Sequence, residues 1–295
     1  MSTPIPAYAE LVAASNFSFL RGASHPRDLV LTAVLRGHTG LGLADRNTVA
    51  GVVRAWSALK QLREHGGAPV EKVRTGGSPG EGVFMEDAVV GPDLAEVVRE
   101  RAQGFRLLTG ARLVFADGTP DIVAYPEDRA GWGRLTRLLT LGSRRAKKGA
   151  CLLHLNDLLA DPDGLLLIAV PDPKLDALPD LLARLNAARP GAVWLGAAMP
   201  RRGDDRRRLA GLRALAEGAG TPLLAMNDVL YHAPESRDLQ DVLTCIREGM
   251  TIDQAGRRLL ANAERHLKPP GEMTRLFADA PDALTETQTL LARST

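Results

Sequence analysis

The stretch from Leu165 to Met226 decides the fold. It reads LLLIAV at Leu165–Val170, VWLGA at Val193–Ala197 and PLLAM at Pro222–Met226, with amphipathic segments at Leu175–Ala188 and Asp205–Ala219 between them. An unbroken apolar run such as the first predicts a strand buried on both faces. The longer segments carry apolar residues at helical spacing and predict crossover helices. Strands that alternate with helices in this way pair in parallel.

The same grammar extends towards the amino end. Tyr8–Ala14 and Leu41–Ala44 read as strands, and Pro26–Arg36, Val49–Arg63 and Gly131–Leu141 as helices. Ser24 is a possible N-cap of the first helix and Gly37 its stop. Leu107–Phe115 and Asp121–Tyr125 flank the turn-rich Ala116–Pro120 and predict a β-hairpin. Beyond Met226 the chain reads as mainly helical. A (β/α) barrel is the economical closure, because it removes sheet edges. An open doubly wound sheet is the alternative, although no glycine fingerprint for a dinucleotide follows the first strand. Gly66–Gly91 breaks the pattern with a cluster of glycines and is expected to be a flexible surface insertion, followed by a short helix at Pro92–Gln103. No internal repeat is visible.

Composition narrows the function classes. Aromatic residues make up 4% of the 295, so the core is expected to be aliphatic. The formal net charge of +2 leaves no whole-chain nucleic-acid footprint, and any phosphate contact must come from local clustering. Cys151 and Cys245 stand far apart with no histidine at ligand spacing, which argues against a disulfide framework or zinc knuckle and for a reducing, cytoplasmic compartment. Met1–Pro6 lacks the charged and apolar regions of a signal peptide, and no apolar run is long enough to span a bilayer.

Chemistry in parallel barrels sits at the carboxyl ends of the strands. Those ends offer Ser15, Asn16, Phe17, Ser18 and Arg21, then Asp45 and Arg46, then Arg112, then Asn227, Asp228, Tyr231 and His232. Arginine presents only donors and cannot ligate a metal. Two readings stand at this point. In one the arginines converge and pair with Asp45 and Asp228; in the other each lies on the rim in an ordinary solvated contact. His232, alone in a loop, reads more readily as a structural residue than as a ligand. Arg144, Arg145, Lys147 and Lys148 form a basic loop that could meet phosphate, whereas Arg206, Arg207 and Arg208 lie beside Asp204 and Asp205 on a solvated helix face. No Ser–His–Asp pattern, phosphate loop or two-metal carboxylate pair is present.

The motifs bear a family resemblance. Tyr8–Leu11 with Asn16–Ser24, Leu43–Arg46 with Ala50–Arg54, Leu138–Arg145 and Asn227–His232 resemble motifs of bacterial C-family DNA polymerase alpha subunits. Leu239–Glu248 and Ala261–Lys268 resemble the error-prone branch. The resemblance implies a PHP (polymerase and histidinol phosphatase) domain, a distorted seven-stranded (β/α) barrel, over residues 1–233. A helical segment at 234–295 would lead towards a polymerase palm lying further on. Active PHP members hold divalent metals with His, Asp and Glu. Here Val12, Ala14, Arg21, Arg46, Arg112 and Leu230 stand at ligand positions and Asp228 alone keeps a ligand type, with Asp45 and His232 behind them.

The implied expectation is a domain without metal or hydrolytic activity that acts as a scaffold, and arginines that share one pocket. It would serve a DNA-directed DNA polymerase using Mg²⁺ in damage-induced mutagenesis and translesion synthesis. Its partners would be the polymerase core of the same chain, DNA, a sliding clamp and mutagenesis accessory proteins, with no membrane. The alternatives are a residual metal-dependent phosphoesterase or 3′–5′ exonuclease built on Asp228 and His232, and a phosphate- or nucleic-acid-binding module using Arg21, Arg46 and Arg112.

Overall fold

The computed structural model describes residues 6–67, 92–172 and 175–294. Seven strands, β1 (Ala9–Ala13), β2 (Gly40–Arg46), β3 (Arg106–Leu113), β4 (Ile122–Pro126), β5 (Leu165–Ala169), β6 (Val193–Ala197) and β7 (Leu223–Ala225), lie side by side in chain order. The layers outside them are α1 (Pro26–Leu35), α2 (Val52–His65), α3 (Pro92–Gly104), α4 (Arg129–Arg144), α5 (Leu155–Leu159), α6 (Leu178–Ala188) and α7 (Asp205–Gly218). After β7 come α8 (Arg237–Glu248), α9 (Ile252–Ala255), α10 (Pro270–Leu276) and α11 (Asp282–Arg293). This is the distorted seven-stranded α/β barrel. The glycine-rich stretch expected to be a flexible insertion lies, from residue 68 to 91, outside the described residues.

The strands pair in parallel except around β4, which runs against both β3 and β5. The hairpin explains this, since a short turn can join only antiparallel neighbours. β4 therefore brings its first residues, not its last, to the rim where the other strands end. Sequence-based reading of Ser24 as an N-cap needs correction. His25 occupies that position without a side-chain cap, because the Ser24 hydroxyl is engaged with His232 instead.

Closure of the barrel is local. At the upper rim Val229 bridges to β1: its amide donates to the Val12 carbonyl (2.8 Å), and the Ala14 amide donates to the Val229 carbonyl (2.9 Å). Below, α11 packs across the seam between β7 and β1. Its buried Leu290 and Leu291 join the cluster formed by Leu11, Leu166, Ile168 and Leu224. That interior is not wholly aliphatic. Trp194 is buried there, and Tyr125 sends its hydroxyl to the Leu11 carbonyl (2.7 Å). Tyr125 fits because β2 and β3 offer glycines: a Cβ on Gly42 would lie 2.3 Å from the Tyr125 hydroxyl, and one on Gly110 would lie 2.5 Å from its ring.

Glu10 stitches the seam from inside. Its fully buried carboxyl accepts from the Val12 amide, the Asn227 amide and the Tyr8 hydroxyl, each at 2.8 Å. Burial pushes the acid up to about 7 despite these donors, which favour the charged form, and nearby Asp228 adds to the rise. The folded chain thus holds the Glu10 proton more tightly than the unfolded chain, whose carboxyl titrates near 4.5. Between those values the native state binds more protons, so stability falls as pH rises. We expect the stability difference between wild type and Glu10→Gln to change by roughly 1.4 kcal/mol per pH unit across that window and to level off on either side. Urea unfolding at pH 4, 5.5 and 7.5 checks this, and a constant difference would refute it.

Candidate functional site

The upper rim of the barrel is organised around Arg112, at the end of β3. Its Nε donates to Asp121 Oδ2 and its Nη1 to Asp228 Oδ1, both at 2.7 Å. Asp121 stands at the start of β4 and reaches the rim only because that strand is reversed. Asp228 follows β7 with φ +48°, in the left-handed region that aspartate tolerates better than most residues. Its second carboxylate oxygen pairs with Arg265, whose Nε also donates to the Asp228 carbonyl (2.7 Å). Arg265 is placed by a short extended segment. Leu230 donates to the Arg265 carbonyl, Tyr231 bridges to His266, and the Asn227 amide group donates to the carbonyls of Glu264 and His266.

Electrostatics lock this network in its charged form. Burial opposes the Arg112 charge, but Asp228 and Asp121 outweigh it and raise the affinity for the proton. Burial likewise opposes the Asp228 charge, and the flanking Arg112 and Arg265 hold its carboxyl below the usual range.

The arginines predicted to converge do so. Arg21, Arg46 and Arg112 line one cavity of about 170 Å³ together with Asp121, Ala14, Leu230 and Ser18. Three further arginines join the lining, Arg265, Arg247 from α8 and Arg258 from the 3₁₀ turn at Gly256–Arg258, with Gln240, Thr244 and Leu260 beside them. The last two share Glu248, at 3.0 Å and 3.7 Å.

The expected pairing with Asp45 does not form. Asp45 is buried and accepts from the Ser15 amide (2.7 Å), the Ser15 hydroxyl (2.9 Å) and the Ser18 hydroxyl (2.7 Å). It fastens the loop after β1 onto β2, and no guanidinium reaches it. Val12 packs in the barrel interior rather than lining the cavity. His232 is also outside it, with Nδ1 2.7 Å from the Ser24 hydroxyl, which accepts from the His232 amide (2.9 Å). The basic loop is exposed and separate: Arg145 pairs with Asp157 (2.6 Å), and none of Arg144, Arg145, Lys147 and Lys148 touches the cavity.

Asp121, Arg247, Arg258, Arg265 and Glu10 were not singled out by residue pattern. The antiparallel hairpin was the available signal for Asp121. The others depend on contacts between residues distant in sequence.

These residues do not suit a divalent cation. Both oxygens of Asp228 are taken by guanidiniums, and positive side chains occupy the space where donors would be needed. Among the described residues no group of three His, Cys, Asp or Glu side chains is placed to hold a metal.

No family model matches the chain. It is 50% identical over 285 residues to an error-prone DNA polymerase of Rhodopseudomonas palustris, covering 96% of this chain and 22% of that protein. It is 47% identical over 289 residues to one of Bradyrhizobium diazoefficiens and 43% identical over 289 residues to one of Caulobacter vibrioides, covering 22% and 23% of those proteins. The chain is homologous to one segment of the error-prone DNA polymerases. The chain spans about a fifth of the length of those relatives. A metal-dependent phosphoesterase, so described, from Bifidobacterium adolescentis matches at 14% identity and a TM-score of 0.46, over 76% of this chain and 88% of that one.

In this chain, Asp228→Ala would leave Arg112 and Arg265 facing each other without their shared carboxylate. We expect a loss of about 3 kcal/mol in urea unfolding at neutral pH. Because the Asp228 acid is depressed in the folded state, this contribution is present above about pH 4 and is lost as pH falls below it. An Asp228→Ala penalty unchanged from pH 7 to pH 3 would contradict the ion-pair account.

Proposed function

We propose that this chain is a non-catalytic scaffold of an error-prone DNA polymerase, and that α8 is the face on which the rest of that polymerase docks. The carrying observation is the inverted amphipathicity of α8. The helix buries Gln240, Asp241, Thr244 and Cys245, while Leu239, Val242 and Ile246 are 51%, 47% and 60% exposed. Its inward face is polar because Gln240, Thr244 and Arg247 look into the arginine cavity. The outward residues recur at i, i+3 and i+7, the spacing of a helix seam. A groove of about 490 Å³ continues from Val242 and Ile246 to Met250 and Ile252.

The relatives run more than four times the length of this segment, so the natural occupant is a further part of the same chain. Covalent linkage keeps that part at high effective concentration. In this reading residues 1–233 form the barrel and 234–295 the helical segment that carries the docking face. DNA synthesis, with its Mg²⁺, belongs to the polymerase core. The parent would act in the cytoplasm on damaged templates, meeting DNA, a sliding clamp and accessory proteins through other surfaces. Hydrolysis through Asp228 and His232 lacks support, since the first is bound by two arginines and the second by Ser24.

The Val242→Asp/Ile246→Asp pair tests this. In the full-length polymerase it should expose the 295-residue segment to limited proteolysis and lower the melting temperature by several degrees. In the 295-residue chain alone the two exposed substitutions should shift stability by no more than about 1 kcal/mol. Unaltered protection in the full-length protein would defeat the docking assignment.

A further inference from the structure

The arginine cavity contains more positive charge than its ion pairs neutralise. Six guanidiniums line it, whereas the acidic groups that engage them are Asp121, Asp228 and Glu248. The surplus has a definite location. Arg112 and Arg265 are paired with aspartates, and Arg247 and Arg258 share a glutamate. Arg247 also donates to the Leu20 carbonyl (2.8 Å). No acceptor among the described residues hydrogen-bonds the side chain of Arg21 or of Arg46, although both are partly buried. Burial, and then the charges of Arg46 and Arg247, push Arg21 down to about 10; Asp121 offsets only part of this, and Arg112 adds to it. Burial lowers Arg46 too, with Arg112 and Arg247 contributing against the partial support of the Asp121 charge. Two like charges held in a half-enclosed space without acceptors are a cost to the free protein that an anion would relieve.

We propose that this cavity binds a terminal phosphoryl group, with Arg21 and Arg46 as its principal partners and Arg247 beside them. A guanidinium presents paired N–H donors that match two oxygens of a tetrahedral oxyanion, and a dianion suits two arginines that have no hydrogen-bond acceptor of their own. The hydroxyls of Ser18 and Thr244 stand at the same cavity, although each now serves the protein: Ser18 donates to Asp45, and Thr244 to the Gln240 carbonyl. At about 170 Å³ the space corresponds to only about five or six waters. It accommodates one phosphoryl head, with the remainder of the ligand outside. Arg112 and Arg265, which also line the cavity, are already paired with Asp121 and Asp228, so binding needs no break in the network that closes the barrel. The proposal concerns this chain's own residues and does not depend on how α8 meets the rest of the polymerase.

The test is calorimetric titration of the 295-residue chain with inorganic phosphate at fixed ionic strength, balanced with chloride. Saturable binding is expected, weakened at least about tenfold in Arg21→Gln/Arg46→Gln. The ligand-free double variant should be at least as stable as wild type, because it removes charges with no acceptor; this separates loss of a site from loss of the fold. Lys147→Gln/Lys148→Gln, on the exposed loop, should leave the affinity unchanged. An oligonucleotide with a 5′-phosphate, its unphosphorylated twin and a nucleoside 5′-monophosphate identify the source. Tighter binding of the phosphorylated oligonucleotide than of free phosphate supports a DNA end, and equal binding supports a small phosphate. No saturable phosphate binding, undiminished binding in the arginine double variant, or loss of binding only in the lysine variant would each overturn the proposal.

Discussion

The contact between Arg112 and Asp228 joins parts of the chain that no local interaction could bring together. Arg112 ends β3, Asp228 follows β7, Asp121 opens β4, and Arg265 comes from beyond the barrel. A carboxylate buried at such a junction must find a cation, and a cation without a carboxylate would be equally costly. Each oxygen of Asp228 has its own guanidinium, so the cost of taking charge out of water is offset by geometry on both sides. The neighbouring Val229 makes the bridge that closes the sheet onto β1. The rim's electrostatics and the barrel's topology are consequently one constraint. Moving Asp228 would disturb the strand seam as well as the ion pairs.

The helical segment shares in that constraint. Arg265 belongs to a short extended run that pairs with residues after β7, and Lys268 donates to the Asn227 side chain (3.1 Å) while being buried itself. α8 itself is held over the cavity by Arg247, which donates to the Leu20 carbonyl, and by Arg237, which donates to the Leu260 carbonyl (both 2.8 Å). α8 turns Gln240, Thr244 and Arg247 to the hollow and Leu243 to the small cluster of Leu230 and Tyr231, which leaves Leu239, Val242 and Ile246 facing out. The exposed stripe on α8 therefore follows from the polarity of what lies beneath it. Charge at the rim and an apolar face outside are two sides of one helix.

Much of the fold was legible from periodicity. The buried β5, the strands β6 and β7 and the hairpin of β3 and β4 all occur where apolar runs and turn residues put them. Alternation of strands and helices indicated the barrel without indicating how its seam would close. Glu10 could not be read as a seam residue, because an acidic side chain in an otherwise apolar strand has no local mark of its partners. Arg21, Arg46 and Arg112 were recognisable as occupants of one pocket through the family motifs. Pairing of Asp45 with the arginines was one of two readings left open by the residue pattern; neighbouring residues on a strand point to opposite faces, so Asp45 and Arg46 diverge. Asp45 turns towards Ser15 and Ser18, away from the guanidiniums. Asp121 escaped notice because only strand carboxyl ends were considered, and a reversed strand delivers its amino end to the same rim.

On the reading that these are metal-ligand positions of the family, arginines there do more than exclude a metal. A divalent ion gathers carboxylates and histidines symmetrically around a point, and removing it would leave several anions in mutual repulsion. Neutral residues at every such position would remove the repulsion but also the cross-links. Guanidiniums supply directional donors from different elements, so they replace cross-linking by an ion with cross-linking by side chains. Asp228 gains a specific role in this arrangement: it is the acceptor through which Arg112 and Arg265 connect the barrel to its helical extension. The exchange is not balanced at Arg21 and Arg46, which carry charge that no carboxylate among the described residues meets by hydrogen bonding. Had stability alone shaped the cavity, glutamine or leucine there would relieve that repulsion. Two uncompensated guanidiniums beside a completed ion-pair network are instead what recognition of an exchangeable anion requires, since permanent acceptors inside the protein would compete with the ligand for the same donors.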